Sequence, residues 1–369
     1  MSAPQIEIQL IAVVVAAACA LPGTFLVLRR MALMSDAISH AILIGIVLAF
    51  FITEDLASPL LIVGATLTGV VTVSLVELLN RTGRVREDAA IGLVFPVLFS
   101  AAVLLIARYA GNVHLDTDAV LLGELAFAPF DRFIVAGWDL GPRALYLMGG
   151  ILALNVVVIG LLYKELKLVT FDAGLAAALG FAPAVVHYIL MSLVSVTAVG
   201  AFEAVGSILV VALMIAPPAT AYLLTDRLPV MLGLGALTGA VAAIGGYWLA
   251  HWLDASIAGS MATVAGLLFG AACLFAPQRG VIAAARRRAA QRWEFAQTML
   301  AIHLFNHRDT PDAATESRVD HLQEHLRWDP DFAAQVIHRA ERRGLIRRHG
   351  QTLTLTGEGV RVAREALVG

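Results

Sequence analysis

Nine apolar runs, each close to the roughly 20 residues a helix needs to cross a bilayer, set what this chain can fold into. They extend about Ile8–Leu28, Leu33–Ile52, Ala57–Leu79, Ala90–Tyr109, Ala144–Tyr163, Ala184–Val199, Ala204–Leu224, Val230–Ala250 and Ile257–Ala276. No water satisfies backbone groups inside a bilayer, so each run must close its own hydrogen bonds as a helix. Composition agrees: 59% of the 369 residues are hydrophobic and 15% charged, with a mean hydropathy of +0.81. That excludes an ordinary soluble globule.

The basic residues orient the spans. Arg29 and Arg30 follow the first span, Arg81, Arg84 and Arg86 the third, Lys164 and Lys167 the fifth, Arg227 the seventh, and Arg279 with Arg286, Arg287 and Arg288 the ninth. With nine spans these clusters all share one side, which must be cytoplasmic. The N-terminus is then expected outside and the C-terminus inside. Arg108, Arg132 and Arg143 fall on the other side.

Two connections are more than linkers. The outer one, 110–143, contains NVHLDTDAVLLGELAFAPFDR, and His114, Asp116 and Asp118 there read as a loop-helix cap or an entry point for a cation. The inner one reads TFDAGLAAALGFAP; Asp172 is suited to cap a short helix ending near Gly180. Its small residues, Ala176 and Ala177 among them, suit docking into a groove on a partner. Later spans are rich in glycine, with Gly235/Gly239 and Gly266/Gly270 spaced for close helix approach. Pro217 and Pro218 are expected to break or kink the seventh span.

Ionisable residues inside spans are costly and mark function. In RRMALMSDAISHAILIG, Asp36 and His40 lie four residues apart, hence on one helix face. A carboxylate and an imidazole make half of a divalent-metal site. Glu203, read at the start of the seventh span, is an interfacial carboxylate or offers another ligand oxygen; His251 and Asp254 end the eighth and read as interface residues or as metal-contacting parts of an outer gate or entry site. His187 reads as interfacial. Oxygen and imidazole donors without thiolate fit manganese, iron(II) or zinc.

Several classes are excluded. The only lysines are Lys164 and Lys167, and no G-x-x-x-x-G-K-[ST] loop exists, so any ATP must be bound by another subunit. No H-E-x-x-H helix supports a metalloprotease. Cys19 and Cys273 lie in apolar runs and read as packing residues.

After Ala276 the composition changes: from Arg286 onward there are 14 Arg against 11 Asp and Glu. Helices are expected near Ala284–Asn306, Thr315–Leu326 and Asp331–Arg343, then strands Leu345–Arg347 and Thr352–Leu355 and a last helix, the order of a winged helix-turn-helix. The tail carries two i,i+4 histidine pairs, His303/His307 and His321/His325, with Glu324 beside the second. They read first as solvated faces of a tail rich in arginine and histidine; a metal-sensing site is the sharper alternative.

Four blocks carry a family likeness: LRRMALMSDAISHAILIG, HLDTDAVLLGEL, FEAVGSILVVALMIAPPATAYLL and SIAGSMATVAG. Together, from about Ile8 to Ala276, the chain resembles the permease subunits of bacterial metal-specific ABC importers, the manganese, zinc and iron uptake systems. The resemblance implies a type II importer bundle in the cytoplasmic (inner) membrane, with a second permease, ABC ATPase subunits and an extracytoplasmic metal-binding protein. It matches Asp36 and His40 to the metal-contacting pair of the path, and Asp172, Ala176, Ala177 and Gly180 to the helix coupling to the ATPase. It matches Glu203 to a position acidic in manganese and iron transporters, which tilts the expectation away from zinc; manganese is the first expectation, then iron or zinc. Ile44 stands where that family usually has proline, implying a straighter helix. The tail, about Ala290–Leu367, resembles the DNA-binding domain of iron-dependent repressors, without their dimerisation domain.

The expected architecture is thus an all-α polytopic membrane bundle over residues 1–279 and a small cytoplasmic α+β winged-helix-like regulatory domain over 280–369. The expected function is non-enzymatic: a permease for a divalent metal carried as substrate, with no permanent cofactor. The rival reading is a membrane-anchored, metal-responsive transcriptional regulator whose tail binds DNA. The basic run Arg339, Arg342, Arg343, Arg347 and Arg348 would also suit anionic lipid.

Overall fold

The computed structural model describes residues 3–54, 58–109, 125–135 and 138–368. The chain divides into two compact units, Met1–Gly280 and Val281–Gly369.

Among the described residues of the first unit, nine helices have the length and apolar character of membrane spans. They are α1 (Ala3–Leu28), α2 (Ala32–Thr53), α3 (Pro59–Arg81), α4 (Glu87–Tyr109), α5 (Arg143–Leu161), α8 (Pro183–Val205), α9 (Ser207–Leu224), α10 (Leu228–Leu253) and α11 (Ile257–Phe275). Between α5 and α8 run two shorter helices, α6 (Tyr163–Phe171) and α7 (Ala173–Ala178).

The bundle is built around α1, which packs against α5, α8, α9 and α10. Ile11, Val15, Cys19 and Phe25 are fully buried there. Gly23 sets the closest approach: a Cβ at that position would stand 2.0 Å from the Met214 carbonyl oxygen of α9. Pro218, four residues on, has no N–H to bond that carbonyl, and α1 fills the space beside it. Helix α9 runs unbroken through Pro217 and Pro218, so of the break or kink expected from sequence the break does not occur. The Thr238 hydroxyl of α10 donates to the Pro217 carbonyl at 3.3 Å, one way in which a neighbouring helix satisfies backbone around a proline. Asn155, fully buried on α5, donates to the Ala18 carbonyl at 2.8 Å and to Thr197 Oγ1 of α8 at 3.0 Å.

A second close pair joins α2 to α3. A Cβ on Gly45 would come within 2.3 Å of the Gly64 carbonyl oxygen. In α10, Gly239 lies against Ala16 of α1, so that glycine pair serves packing within the chain, whereas Gly266 and Gly270 of α11 have open space beside them.

The sequence reading missed one element. Strands β1 (Arg132–Val135) and β2 (Trp138–Pro142) form an antiparallel hairpin before α5, with an irregularity between Arg132 and Ile134. The Arg132 guanidinium holds both Asp139 oxygens at 2.9–3.0 Å and both Glu7 oxygens at 2.9–3.0 Å. It thereby ties the hairpin to the first turns of α1.

The second unit opens with α12 (Val281–Asn306), followed by α13 (Ala313–Glu316), α14 (Val319–His325) and α15 (Pro330–Arg342). Asp329 caps α15, its carboxylate accepting from the Asp331 and Phe332 amides, with proline at the first helical position. Strands β3 (Ile346–His349) and β4 (Thr352–Leu355) pair antiparallel around Gly350, whose φ of +63° needs glycine's freedom. Helix α16 (Gly357–Val368) closes the unit. Its core contains Leu300, Leu304, Leu322, Val336, Ile337 and Leu353.

Candidate metal path

Helix α2 carries the sharpest site from the sequence. It runs without interruption past Ile44. Nε2 of His40 lies 3.4 Å from Oδ1 of Asp36, and the two side chains keep 30% and 40% of their surface exposed. On the neighbouring helix α4, Phe95 and Phe99 flank the imidazole, each ring centroid 6.0 Å away, Phe99 edge-on. Sequence reading did not single out these two aromatics; their i,i+4 spacing, which puts both on one face, was the available signal. Ser35 and Ser39 point elsewhere and satisfy themselves on the Ala32 and Ser35 carbonyls. The carboxylate and the imidazole therefore stand on a partly open face of the bundle.

Glu203 is not part of this pair. From hydropathy the sixth span ends at Val199 and the seventh opens near Ala204; instead α8 continues to Val205 and the break is at Gly206, with φ +78°. Apolar residues on both sides hid that break from a hydropathy count. The Arg29 guanidinium meets His187, in the first turns of α8, at 3.3 Å, so the starts of α2 and α8 lie at one end of the bundle. Glu203 is sixteen residues beyond His187 on α8, about 24 Å along the axis, whereas His40 is about 12 Å beyond the start of α2. Glu203 thus occupies another layer, where it lines a cavity of about 260 Å³ with Asp131, Arg143 and Gly200. Among the described residues no third histidine or acidic side chain completes a three-ligand group with Asp36 and His40.

His251 and Asp254 end α10. The His251 ring lies parallel to Tyr247, 6.4 Å between centroids, and Asp254 stops the helix in a left-handed conformation, φ +51°. The structure gathers neither with Glu203 into a metal-sized group. His114, Asp116 and Asp118 lie outside the described residues.

At the Arg29 end, Arg29 also donates to Thr170 Oγ1 at 3.1 Å. A cavity of about 190 Å³ opens nearby, lined by Met31, Met34, Glu77, Asn80 and His187. His187, read as interfacial, is thus held by an arginine. At the expected coupling segment, Asp172 Oδ1 accepts from the Leu175 amide at 2.8 Å and caps α7. Ala176 packs inward, and Gly180 turns the chain at φ +87°. Phe171, Leu175, Leu179 and Phe181 present an exposed apolar surface around that helix.

The tail departs from expectation in one respect. His303 is buried, and Glu316, unremarked in the sequence, lies 3.3 Å from it and 3.1 Å from His321. The paired histidines are therefore not simply solvated helix faces. The Glu324 side chain lies outside the described residues.

Residues 6–276 match the profile of the ABC 3 transport family. The chain is 50% identical over 361 residues to the zinc transport system membrane protein TroD of Treponema pallidum, covering 98% of each. It is 48% identical over 270 residues to the manganese transport system membrane protein MntD of Bacillus subtilis, covering 73% of this chain and 91% of that one. Among solved structures, PsaBC from Streptococcus pneumoniae in complex with Fab superposes with a TM-score of 0.63 at 28% identity, covering 76% of this chain and 94% of that chain. Both relatives are named for transport and neither for transcription.

Proposed function

This chain belongs to the ABC 3 transport family, and from that premise we propose that it is the membrane permease of an ATP-driven importer of divalent transition metal. One observation carries the reading. A carboxylate and an imidazole share one face of a membrane helix, half open in the single chain. Such groups are tolerated in a membrane only against protein or a polar passage. A second permease, identical or related, supplies the opposite wall, and two Asp36/His40 pairs then provide four donors.

An extracytoplasmic protein delivers the metal to the end of the bundle that carries Glu203, where Glu203 and Asp131 offer oxygens. From there it passes to Asp36 and His40, and leaves near the cavity lined by Glu77 and His187. The side with Arg29, Arg81 and Lys164 is cytoplasmic, with the N-terminus outside and the C-terminus inside. ATP is bound and hydrolysed by a separate subunit that docks on the apolar surface around α7. Binding along the path stays weak enough for release.

Manganese is the leading cargo, with iron and zinc behind it. Carboxylate oxygens dominate the path, and such donors suit manganese, while imidazole also suits iron and zinc. The test is metal accumulation in cells depleted of this chain and then complemented, with manganese, iron and zinc in competition. Restoration of manganese uptake, competed least by the other two, is expected. Absence of any metal-specific restoration contradicts the reading.

A further inference from the structure

Four of the chain's ten histidines converge in the second unit on one carboxylate. His303 projects from the last turn of α12 and His307 follows that helix directly, with ring centroids 4.7 Å apart. His321 and His325 project from α14, 5.6 Å apart. The His303 and His325 rings are 5.2 Å apart, so the two pairs adjoin, and two metal-sized trios share Glu316. Glu316, the last residue of α13, sits between them, and its Oε2 is 3.3 Å from His303 Nε2 and 3.1 Å from His321 Nε2.

The cluster is poorly satisfied as it stands. Neither Glu316 Oε2 nor His321 Nε2, both buried, makes a hydrogen bond of acceptable geometry, despite their proximity. Buried polar atoms left in that state are costly unless something else completes them.

We propose that His303, His307, Glu316, His321 and His325 form a binding site for one divalent transition metal ion of the zinc class, which takes its four ligands from among these five side chains, separate from the transport path. Within each trio, His303/His307/Glu316 and Glu316/His321/His325, the ligand atoms lie within 4.8 Å of one another. Zinc held tetrahedrally by nitrogen at 2.0–2.1 Å needs ligands about 3.4 Å apart, so binding draws each trio in by about 1.4 Å at most. A set dominated by imidazole suits zinc, while manganese prefers carboxylate and water oxygens. The site therefore differs in preference from the path proposed for manganese. An ion held here clips α12, α13 and α14 together across the turn at 307–318. The inference does not rest on what the permease carries.

The test is zinc binding to the purified full-length chain in nanodiscs, by titration calorimetry, in four forms: unaltered, D36A/H40A, H307Q/H321Q and, as a control, H338Q. His307 and His321 are only partly buried, and size-exclusion and circular dichroism check that the variant is folded. One tight zinc is expected to persist in D36A/H40A and H338Q. In H307Q/H321Q it weakens by more than about 100-fold, since losing even an outer-sphere partner costs ten- to hundredfold. X-ray absorption of zinc-loaded D36A/H40A should show an imidazole-rich nitrogen and oxygen shell. Zinc binding unchanged in H307Q/H321Q, or a shell of oxygen alone, overturns the proposal. Should H307Q/H321Q fail to fold, E316Q replaces it with the same expectations.

Discussion

Nε2 of His40 stands 3.4 Å from Oδ1 of Asp36, one turn away on α2, and neither side chain is buried in the single chain. That openness is informative. A structural pair in a membrane helix would be enclosed by its own bundle, as Asn155 is between α1, α5 and α8. Asp36 and His40 instead keep a free side, framed by Phe95 and Phe99. On the proposed function that free side is where a second permease would complete the coordination sphere.

The α2 helix that carries the pair is set in place by its contact with α3. Replacing Gly45 with leucine puts a side chain where even a Cβ meets the Gly64 carbonyl oxygen at 2.3 Å. Backbone cannot step aside as a side chain does, so the expected cost is at least about 3 kcal/mol, the upper range for overpacking. Thermal unfolding of purified Gly45→Leu should show it. Gly266→Leu, with open space around Gly266, should stay within about 0.5 kcal/mol of the unaltered protein. Equal stability of the two variants contradicts this packing.

Asp172 holds α7 by its side-chain bond to the Leu175 amide. Asp172→Ala removes a cap worth about 1 kcal/mol, equivalent to roughly fivefold in the ratio of formed to unformed helix, so about fivefold is the upper bound on its loss. If α7 transmits ATP-driven motion, uptake falls by up to that factor while metal binding to the purified chain is unchanged. Asp172→Asn, which retains a capping oxygen, restores uptake. A loss of metal binding in Asp172→Ala would assign the residue to the path instead.

The β1–β2 hairpin should loosen in acid. The Arg132 guanidinium, with help from the Gly141 amide, holds the Asp139 carboxyl below the ordinary aspartate value of 3.8. The unfolded hairpin then binds more protons than the folded one across that window, so stability rises with pH there. The contribution is fully present above 3.8 and is lost as pH falls through the lowered value. Hydrogen exchange of the hairpin amides should accelerate on acidification in the unaltered chain, and Arg132→Gln should remove that added sensitivity. An identical acid response in both contradicts the role of the pair.

The spans were legible because a bilayer enforces a simple rule of about 20 apolar residues per crossing. The Asp36/His40 pair was legible because i,i+4 spacing fixes a shared face in any helix. Glu203 was misplaced because Gly206 ends α8 within apolar sequence, and only its backbone conformation marks the break. The β1–β2 hairpin was missed because its strands are short and held by Arg132 reaching Glu7, a contact between distant parts of the chain. Pro217 and Pro218 do not break α9, and α1 packs at Gly23 against the Met214 carbonyl that Pro218 leaves without an N–H partner. Glu316 gave no signal at all, since its meaning depends on two helices bringing four histidines to it.

The central claim is that Asp36 and His40 hold the metal as it crosses. The direct measurement is uptake of radioactive manganese by cells complemented with Asp36→Ala or His40→Ala, with membrane insertion and association with the ATPase subunit verified in each. Uptake at background level in both variants, with assembly intact, is the predicted result. Uptake at the unaltered rate in both contradicts the account.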